Sequence, residues 1–379
     1  MMMLECDAKR LLASVGVNVP QGIVLRAGDA AQAAPVTVWP VAVKAQVRSG
    51  GRGKQGGVVK AADAAALAAA VKKLFATEFG GEVPAALLIE PWLAIEREAY
   101  LSVAVDGRAE GYVVLYSPVG GIDIEDSADG APPARYPVGA PWNFRVHELR
   151  AVLEKVESDY QWREKVIALA QRLVRTAAAR DCTTIEINPL VKLADGSIIA
   201  ADAKIARDEW AWFRSEEIEA ERAGEKARAD DYLRACLDMQ HMYVKLDGDI
   251  GIISGGAGMT MAAMDMVAEQ GGRPACFLDC SPGPTSTRGY RPAFAMLDAD
   301  PAVKVIFVSV FGGGTQMQRV ANSMKEVMAE RTSKKPVVYR LDGTNIDQVP
   351  GIFAQFGAHN HASLEEAAAA AVQLAGARA

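Results

Sequence analysis

From position 246 onward the chain alternates short, strongly apolar segments with segments patterned as helices. Residues 250–253, 275–278, 303–310 and 337–340 read as strands, and residues 257–270, 288–297, 316–330 and 362–374 read as helices. Repeated βα units of this kind predict a parallel, doubly wound sheet. Met259, Met261, Met264 and Met266 mark the first of these helices. A stripe of flexible thioethers is expected to fill core.

The first half has a different rhythm. Residues 4–16 carry apolar side chains at helical spacing and end in Gly16, a helix stop signal. Residues 39–46 form a short apolar strand, and Val58-Val59 returns as a second, so the Gly-rich stretch between them is the turn of a hairpin-like unit. An Ala-rich helix follows over 62–75. Strands over 85–92, 98–105 and 111–117 come in close succession, which predicts that they pair antiparallel. A long amphipathic helix covers 160–180. Segments 184–193 and 197–203 flank Ala194-Asp195-Gly196, whose turn chemistry predicts a hairpin. The densely charged stretch 207–231 reads as a surface helix and linker. The division expected is one domain over 1–236 and a second over 243–379.

Two segments of the first half carry chemistry. Lys44 ends a strand that runs into Arg48-Ser49-Gly50-Gly51-Arg52-Gly53-Lys54. Glycines there let the backbone approach a phosphate, and Arg52 and Lys54 add counter-charge. The pattern is not a P-loop, since no Ser or Thr follows Lys54 and the glycine spacing differs. The second segment is Glu186-Ile187-Asn188-Pro189, with Asp202 on the far arm of the predicted hairpin. Glu186 and Asn188 share one face of the strand. Polar groups placed inward on an apolar strand are costly unless paired or ligated. Asn188 and Asp202 offer the few hard oxygens that Mg²⁺ takes from a protein when phosphates and water complete its shell. Glu90 and Glu98, at strand ends, are candidates for holding a base amine or ribose hydroxyls.

Bulk properties exclude other classes. The chain has 379 residues, half of them hydrophobic, and a formal net charge of −6, with no basic stripe for nucleic acid. Five scattered cysteines give no disulfide framework, and Cys276 and Cys280 lack the second pair of a zinc site. No secretory signal and no run of 18 apolar residues is visible. A cytoplasmic protein with reduced, mostly buried thiols is expected, binding neither nucleic acid nor membrane.

Taken in order, several motifs resemble the β subunit of the ADP- or GDP-forming succinate–CoA ligases and their acid–CoA ligase relatives. They are Lys44 with the 50–54 turn, Gly120-Gly121-Ile122-Asp123-Ile124-Glu125, Glu186-Ile187-Asn188-Pro189-Leu190 and Asp202-Ala203-Lys204. Further along come Leu246-Asp247-Gly248, Gly256-Ala257-Gly258 through Met264-Asp265, Phe277-Leu278-Asp279 and Phe311-Gly312-Gly313. The resemblance implies an N-terminal ATP-grasp fold followed by a flavodoxin-like CoA-ligase domain. It implies that ATP, or alternatively GTP, is held by Lys44, Gly51, Arg52, Gly53, Glu90, Leu93 (through its backbone) and Glu98. Mg²⁺ would be held by Asn188 and Asp202, while Glu186 steadies a phosphohistidine. That histidine and most of the CoA site would belong to a separate α subunit, in an αβ or α₂β₂ assembly. In keeping with this, none of His147, His241, His359 and His361 sits in a Gly-His-Ala-Gly setting. The implied reaction converts a small acid to its CoA thioester through an acyl phosphate, the phosphohistidine mediating between nucleotide and acid. Two other readings compete: another ATP-grasp carboxylate ligase, and a non-catalytic or regulatory subunit.

Departures from the family pattern cluster around the acid. Gly255 stands where the family usually has an Asn, and Gly313-Gly314-Thr315 replaces a Gly-Ile-Val-like run. Cys280-Ser281-Pro282-Gly283-Pro284-Thr285 replaces a shorter Gly-rich segment. Arg48 replaces a His, and Pro350 is expected to interrupt a helix. The expectation is a substrate pocket formed by Gly255, Gly313, Gly314 and Thr315 for a small dicarboxylic or sulfo-carboxylic acid other than succinate. Arg288 or Arg291 would supply a compensating cation.

Overall fold

The strands of the first half build two sheets, each covered by its own helices. A computed structural model describes residues 1–28, 36–48, 51–121, 132–228, 231–239, 241–280 and 287–376. The chain divides into two units, Met1–Glu219 and Ala220–Ala379.

In the first unit, α1 (Glu5–Ser14) precedes β1 (Ile23–Arg26), β2 (Val41–Gln46), β3 (Val58–Ala61), α2 (Ala64–Phe75) and β4 (Ala86–Pro91). These four strands form one sheet in the order β1-β4-β2-β3, all antiparallel pairs. Its odd-numbered face (Val41, Val43, Ala45, Leu87, Ile89) packs on Leu67, Ala70 and Leu74 of α2. That helix begins at Asp63, whose carboxylate accepts the Ala66 N–H at 2.8 Å. Lys44, Gln46 and Glu90 are left on the opposite face.

The second sheet contains β5 (Ile95–Asp106), β6 (Gly111–Ser117), β7 (Ala134–Gly139), β8 (Cys182–Leu193), β9 (Ile198–Ala200) and β10 (Lys204–Arg207), in the order β10-β8-β5-β6-β7 with β9 beside β8. Two helices, α3 (Val146–Leu153) and α4 (Tyr160–Ala179), cover it; Trp162, Val166, Ala170 and Leu173 of α4 meet Leu101, Val103, Ile185 and Ile187 in one core. The expected β8–β9 hairpin is present, with Leu190 opposite Ala200. The expected pairing of 85–92 with 98–105 is not. β4 pairs with β1 and β2, whereas β5 pairs with β6 and β8. Between β4 and β5 the chain crosses from one sheet to the other, and Leu93 sits in that crossing. Five of the six β4 residues are buried, as befits a strand flanked on both edges.

After α5 (Glu216–Arg228), the second unit runs through α6 (Asp231–Asp238), β11 (Met242–Lys245), β12 (Ile250–Ser254), α7 (Ala257–Glu269), β13 (Cys276–Asp279) and α8 (Thr287–Ala299). It continues with β14 (Val305–Gln316), α9 (Met317–Glu330), β15 (Val337–Thr344), α10 (Val349–Phe353) and α11 (Leu364–Gly376). The sheet order is β11-β13-β12-β14-β15, with β13, β12, β14 and β15 parallel and β11 an antiparallel edge. Apolar cores cover both faces, which is why β12 and the first half of β14 are buried at every residue. Met264 and Met266 pack against one of these cores, while Met261 is exposed. The expected end of the first domain at 236 falls inside this unit, because Cys236 of α6 packs in its core. Pro350 opens α10 rather than breaking it, since a first-turn proline lacks only an N–H that would have no helical partner.

Candidate functional site

The face of β2 and β4 opposite α2 carries Lys44 and Glu90, and α1 lays Glu5 and Lys9 against it. All four side chains are almost fully buried. Lys9 Nζ lies 2.7 Å from both Glu5 Oε1 and Glu90 Oε2, and Lys44 Nζ lies 2.8 and 3.0 Å from the same two atoms. Both ammoniums also donate to the Ala201 carbonyl at 2.8 Å. The other oxygen of Glu5 accepts from Arg52, whose guanidinium donates to Ala45 O at 2.8 Å and stands 3.5 Å from Asp202 Oδ1. Three cations thus interlock with three carboxylates. Burial would raise the Glu5 carboxyl, yet Lys44, Lys9 and Arg52 together hold it below the usual carboxylate range. Burial opposes charge on Lys44 too, but Glu5, Asp202 and Glu90 hold its ammonium above the ordinary lysine value. Burial and the neighbouring Lys44 push Lys9 down.

Beside this network opens a cavity of about 770 Å³. One side is the turn Gly51-Arg52-Gly53-Lys54; the other is Gly121, Glu186, Asn188, Asp202 and Lys204, with Glu5 between them. Gly51 has φ +76°, and nothing lies within 4 Å of where a Cβ on Gly51 or Gly53 would stand, so the backbone there faces open space. Glu186 and Asn188 alternate with buried Ile185 and Ile187 along β8, and so both face the cavity, as their spacing predicts. Asn188 Oδ1 accepts the Gly121 N–H at 2.7 Å, and its amide donates back to Gly121 O at 3.2 Å. Asp202 Oδ1 accepts the Ala203 N–H at 2.7 Å in the bend before β10. Among the described residues no group of three or more His, Cys, Asp or Glu is placed to hold a metal; the side-chain oxygens that line this cavity belong to Glu5, Glu186, Asn188 and Asp202.

The remaining candidates stand apart from this cavity. Lys44 and Glu90 do not line it, although Lys44 bonds to Glu5, which does. Glu98, on β5, lies beside Gly121: a Cβ there would come within 3.1 Å of Glu98 Oε2. Residues 49–50, 122–125 and 281–285, parts of motifs singled out in the sequence, lie outside the described residues.

In the second unit the chain leaves β12 toward β13 and later returns to lay β14 on β12's other side. Loops therefore diverge at the carboxyl ends of β12 and β14, the place where doubly wound sheets bind ligands. Gly255 and Gly256 follow β12 there, and Gly313, Gly314 and Thr315 end β14. The Gly256 N–H donates to Asp279 Oδ1 at 2.7 Å, and Thr260 Oγ1 donates to Gly256 O at 3.0 Å, fixing the entry to α7. Thr344 Oγ1 donates to Gly313 O at 2.6 Å. Arg291 is committed elsewhere: its Nε and Nη2 donate to Glu330 of α9 at 2.7 and 2.8 Å. Arg288 is exposed on the first turn of α8.

Glu5 and Lys9 are the members of this charge network that sequence reasoning missed. The signal was present, since positions 5, 8, 9 and 12 share one helical face and Ala8 and Leu12 are fully buried on it.

A glycine-rich cationic turn facing hard oxygen donors, followed by a doubly wound unit, defines an ATP-grasp ligase subunit. The ATP-grasp domain family matches residues 2–192, and the CoA-ligase family matches residues 253–377. The ADP-forming succinate–CoA ligase β subunit of Pyrobaculum aerophilum is 36% identical over 379 residues, covering 98% of each chain. Its counterpart from Ignicoccus hospitalis is 36% identical with 99% coverage of each, and β subunit 2 from Archaeoglobus fulgidus is 34% identical with 98%. The chain belongs to the succinate–CoA ligase β-subunit family, an ADP-forming ligase family. A solved ATP citrate lyase from Methanothrix soehngenii, in complex with citrate and coenzyme A, shares the fold, with a TM-score of 0.72 at 16% identity over 98% of this chain and 99% of that one. The expected order, an ATP-grasp fold and then a CoA-ligase domain, holds. No helix among the described residues is long and apolar enough to cross a membrane.

Proposed function

We propose that this chain is the nucleotide-handling subunit of a nucleoside-diphosphate-forming acid–CoA ligase that works with a phosphohistidine-bearing α subunit. The observation that carries this reading is the cavity in which Arg52 and Lys54, on an open glycine turn, face Glu186, Asn188 and Asp202. Its donors fit Mg-ATP: exposed backbone and cations for phosphate on one wall, hard oxygens for a divalent cation on the other. Magnesium bound at Asn188 and Asp202 would neutralise phosphate charge. Arg52, Lys54 and the Gly51 and Gly53 backbone orient the triphosphate; Lys44, Glu90, Leu93 and Glu98 complete the nucleotide's surroundings. Positioning and charge stabilisation are the main protein contributions to phosphoryl transfer.

The terminal phosphoryl group passes to a histidine of the α subunit, releasing ADP, with Glu186 steadying the phosphohistidine. A carboxylate oxygen of the acid then takes the phosphoryl group, and the CoA thiol displaces phosphate to give the thioester. Gly255, Gly313, Gly314 and Thr315 form the acid's pocket at the carboxyl ends of β12 and β14. With no side chain at Gly255, the pocket favours a small dicarboxylic or sulfo-carboxylic acid other than succinate. The assembly is an αβ or α₂β₂ hetero-oligomer in the cytoplasm, with CoA bound mainly by the partner.

The test is ADP release with CoA-thioester formation by the chain co-purified with its α partner, across a panel of small acids. One acid should turn over well and succinate poorly. Thioester formation fastest with succinate refutes the altered pocket, and no thioester with any acid refutes the ligase reading. Asn188→Ala should abolish Mg²⁺-dependent phosphorylation of the partner; unimpaired phosphorylation would remove Asn188 from the cation site.

A further inference from the structure

The two buried lysines are redundant in a specific way. Besides Glu90 Oε1 at 2.7 Å, Lys9 Nζ reaches Glu5 Oε1, Glu90 Oε2 and Ala201 O at 2.7, 2.7 and 2.8 Å. Lys44 Nζ reaches the same three atoms at 2.8, 3.0 and 2.8 Å. An ammonium has three hydrogens, so one lysine suffices for three acceptors. Two are present, and placing like charges so close together is costly. The duplication is built in: Gln46 Oε1 accepts the Cys6 N–H at 2.9 Å while its amide donates to Lys44 O at 3.2 Å, tying the start of α1 to the end of β2.

Lys44 is also the lysine expected at the nucleotide, yet in this structure its ammonium is fully engaged by the three oxygens. A phosphate can recruit it only if those oxygens keep a donor. Glu5 and Glu90 are both 2% exposed, so neither could be left to solvent. We propose that Lys9 is a positioning residue that stands in for Lys44: when Lys44 turns to the nucleotide's phosphates, Lys9 alone keeps Glu5, Glu90 and Ala201 O satisfied. Departure of Lys44 also removes the like charge beside Lys9. Arg52 still serves the second oxygen of Glu5, so the network gives up the three contacts of Lys44 without dispersing. This inference rests on the reading of Lys44 as a nucleotide ligand.

The experiment measures dissociation constants for Mg-ATP and for adenosine, with thermal stability, on the full chain. In Lys9→Met, Lys44 must stay with the carboxylates or strand them. The Kd for Mg-ATP should rise ten- to a hundredfold, equivalent to about 1.4–2.8 kcal/mol. The Kd for adenosine, which has no phosphate to recruit Lys44, should be unchanged. A purely structural Lys9 would lower Tm and leave both constants alone, or weaken both alike; either result overturns the proposal. Lys9→Arg retains the charge but presents a planar fork to acceptors that suit a tetrahedral ammonium. Its Mg-ATP Kd should fall between those of wild type and Lys9→Met; should Lys9→Met not fold, Lys9→Gln, which loses the charge, is measured in its place, and a wild-type Mg-ATP Kd there refutes the exchange. Lys44→Met separates the two levels of the argument. If it leaves the Mg-ATP Kd unchanged, the nucleotide role of Lys44 fails and the exchange with it; if it weakens Mg-ATP while Lys9→Met does not, the exchange alone fails.

Discussion

Glu5→Gln is the perturbation that most directly probes the charge network. The substitution conserves shape and removes one of three carboxylates facing Lys9, Lys44 and Arg52. Breaking a buried ion pair by neutralising one partner costs about 3–5 kcal/mol, because the remaining charge stays buried. Glu90 and Ala201 O still serve both lysines, and the carboxamide still accepts one bond, so the lower end, about 3 kcal/mol, applies. For a unit of this size that is a fall in Tm of about 6–12 °C. The effect has a pH signature. Glu5 titrates below its usual value of 4.5 in the folded state, so its contribution is full above that pH and is lost as pH falls further. The gap between wild type and Glu5→Gln should therefore be constant from pH 6 to 8, within the plateau above about 4.5, and narrow below it. Scanning calorimetry of both proteins, following the transition that Mg-ATP shifts, gives the answer. A difference under about 2 °C at pH 7, or a gap that does not narrow in acid, would refute the network as a source of stability.

Two other outcomes follow from the geometry. Arg291→Ala should leave the KM for the acid and the Tm unchanged, since its guanidinium is spent on an exposed carboxylate, whereas Arg288→Ala should raise the acid KM about tenfold if it faces the acid pocket; steady-state kinetics of the αβ complex checks both, and an unchanged KM removes Arg288. The thiols should be inert in the folded chain, because burial pushes Cys6 and Cys182 up to about 11 and Cys276 to about 12; iodoacetamide at pH 8, read by mass spectrometry, should label all five cysteines only after unfolding, and fast native labelling of Cys276 would contradict its burial.

The parallel strands of the second unit were legible because both faces are buried, leaving continuous apolar runs between helices. Its edge strand β11 was not, since three of its four residues are exposed and its apolar run is only Met242-Tyr243-Val244. Hydrophobicity announced β4 as a strand but could not name its partners: nothing in residues 86–91 distinguishes a place between β1 and β2 from one beside β5. The cavity's oxygen wall was readable because Glu186 and Asn188 break an otherwise apolar alternation on β8. Glu5 and Lys9 escaped because an i, i+4 Glu–Lys pair ordinarily marks a solvated face. Only the buried positions around them, with Glu90 supplied from 81 residues away from Lys9, turn that pair inward.

Charge balance explains why such a pair suits a place beside the proposed phosphate-binding turn. Lys9, Lys44 and Arg52 are matched by Glu5, Glu90 and Asp202, so the network carries no net positive charge, and a polyanion draws a cation from it only by exchange or where a carboxylate is neutralised. Two of those carboxylates are buried and cannot leave, but Asp202 keeps 37% of its side-chain surface exposed at the cavity wall, 3.5 Å from Arg52. It is the one carboxylate of the set that a divalent cation can reach without unpacking the core. A cation there would neutralise Asp202 and free Arg52 for phosphate, so metal and nucleotide would each strengthen the other's binding by the same factor. On the proposed reading, the coupling of magnesium to ATP in this chain begins with the neutrality of the network behind the cavity.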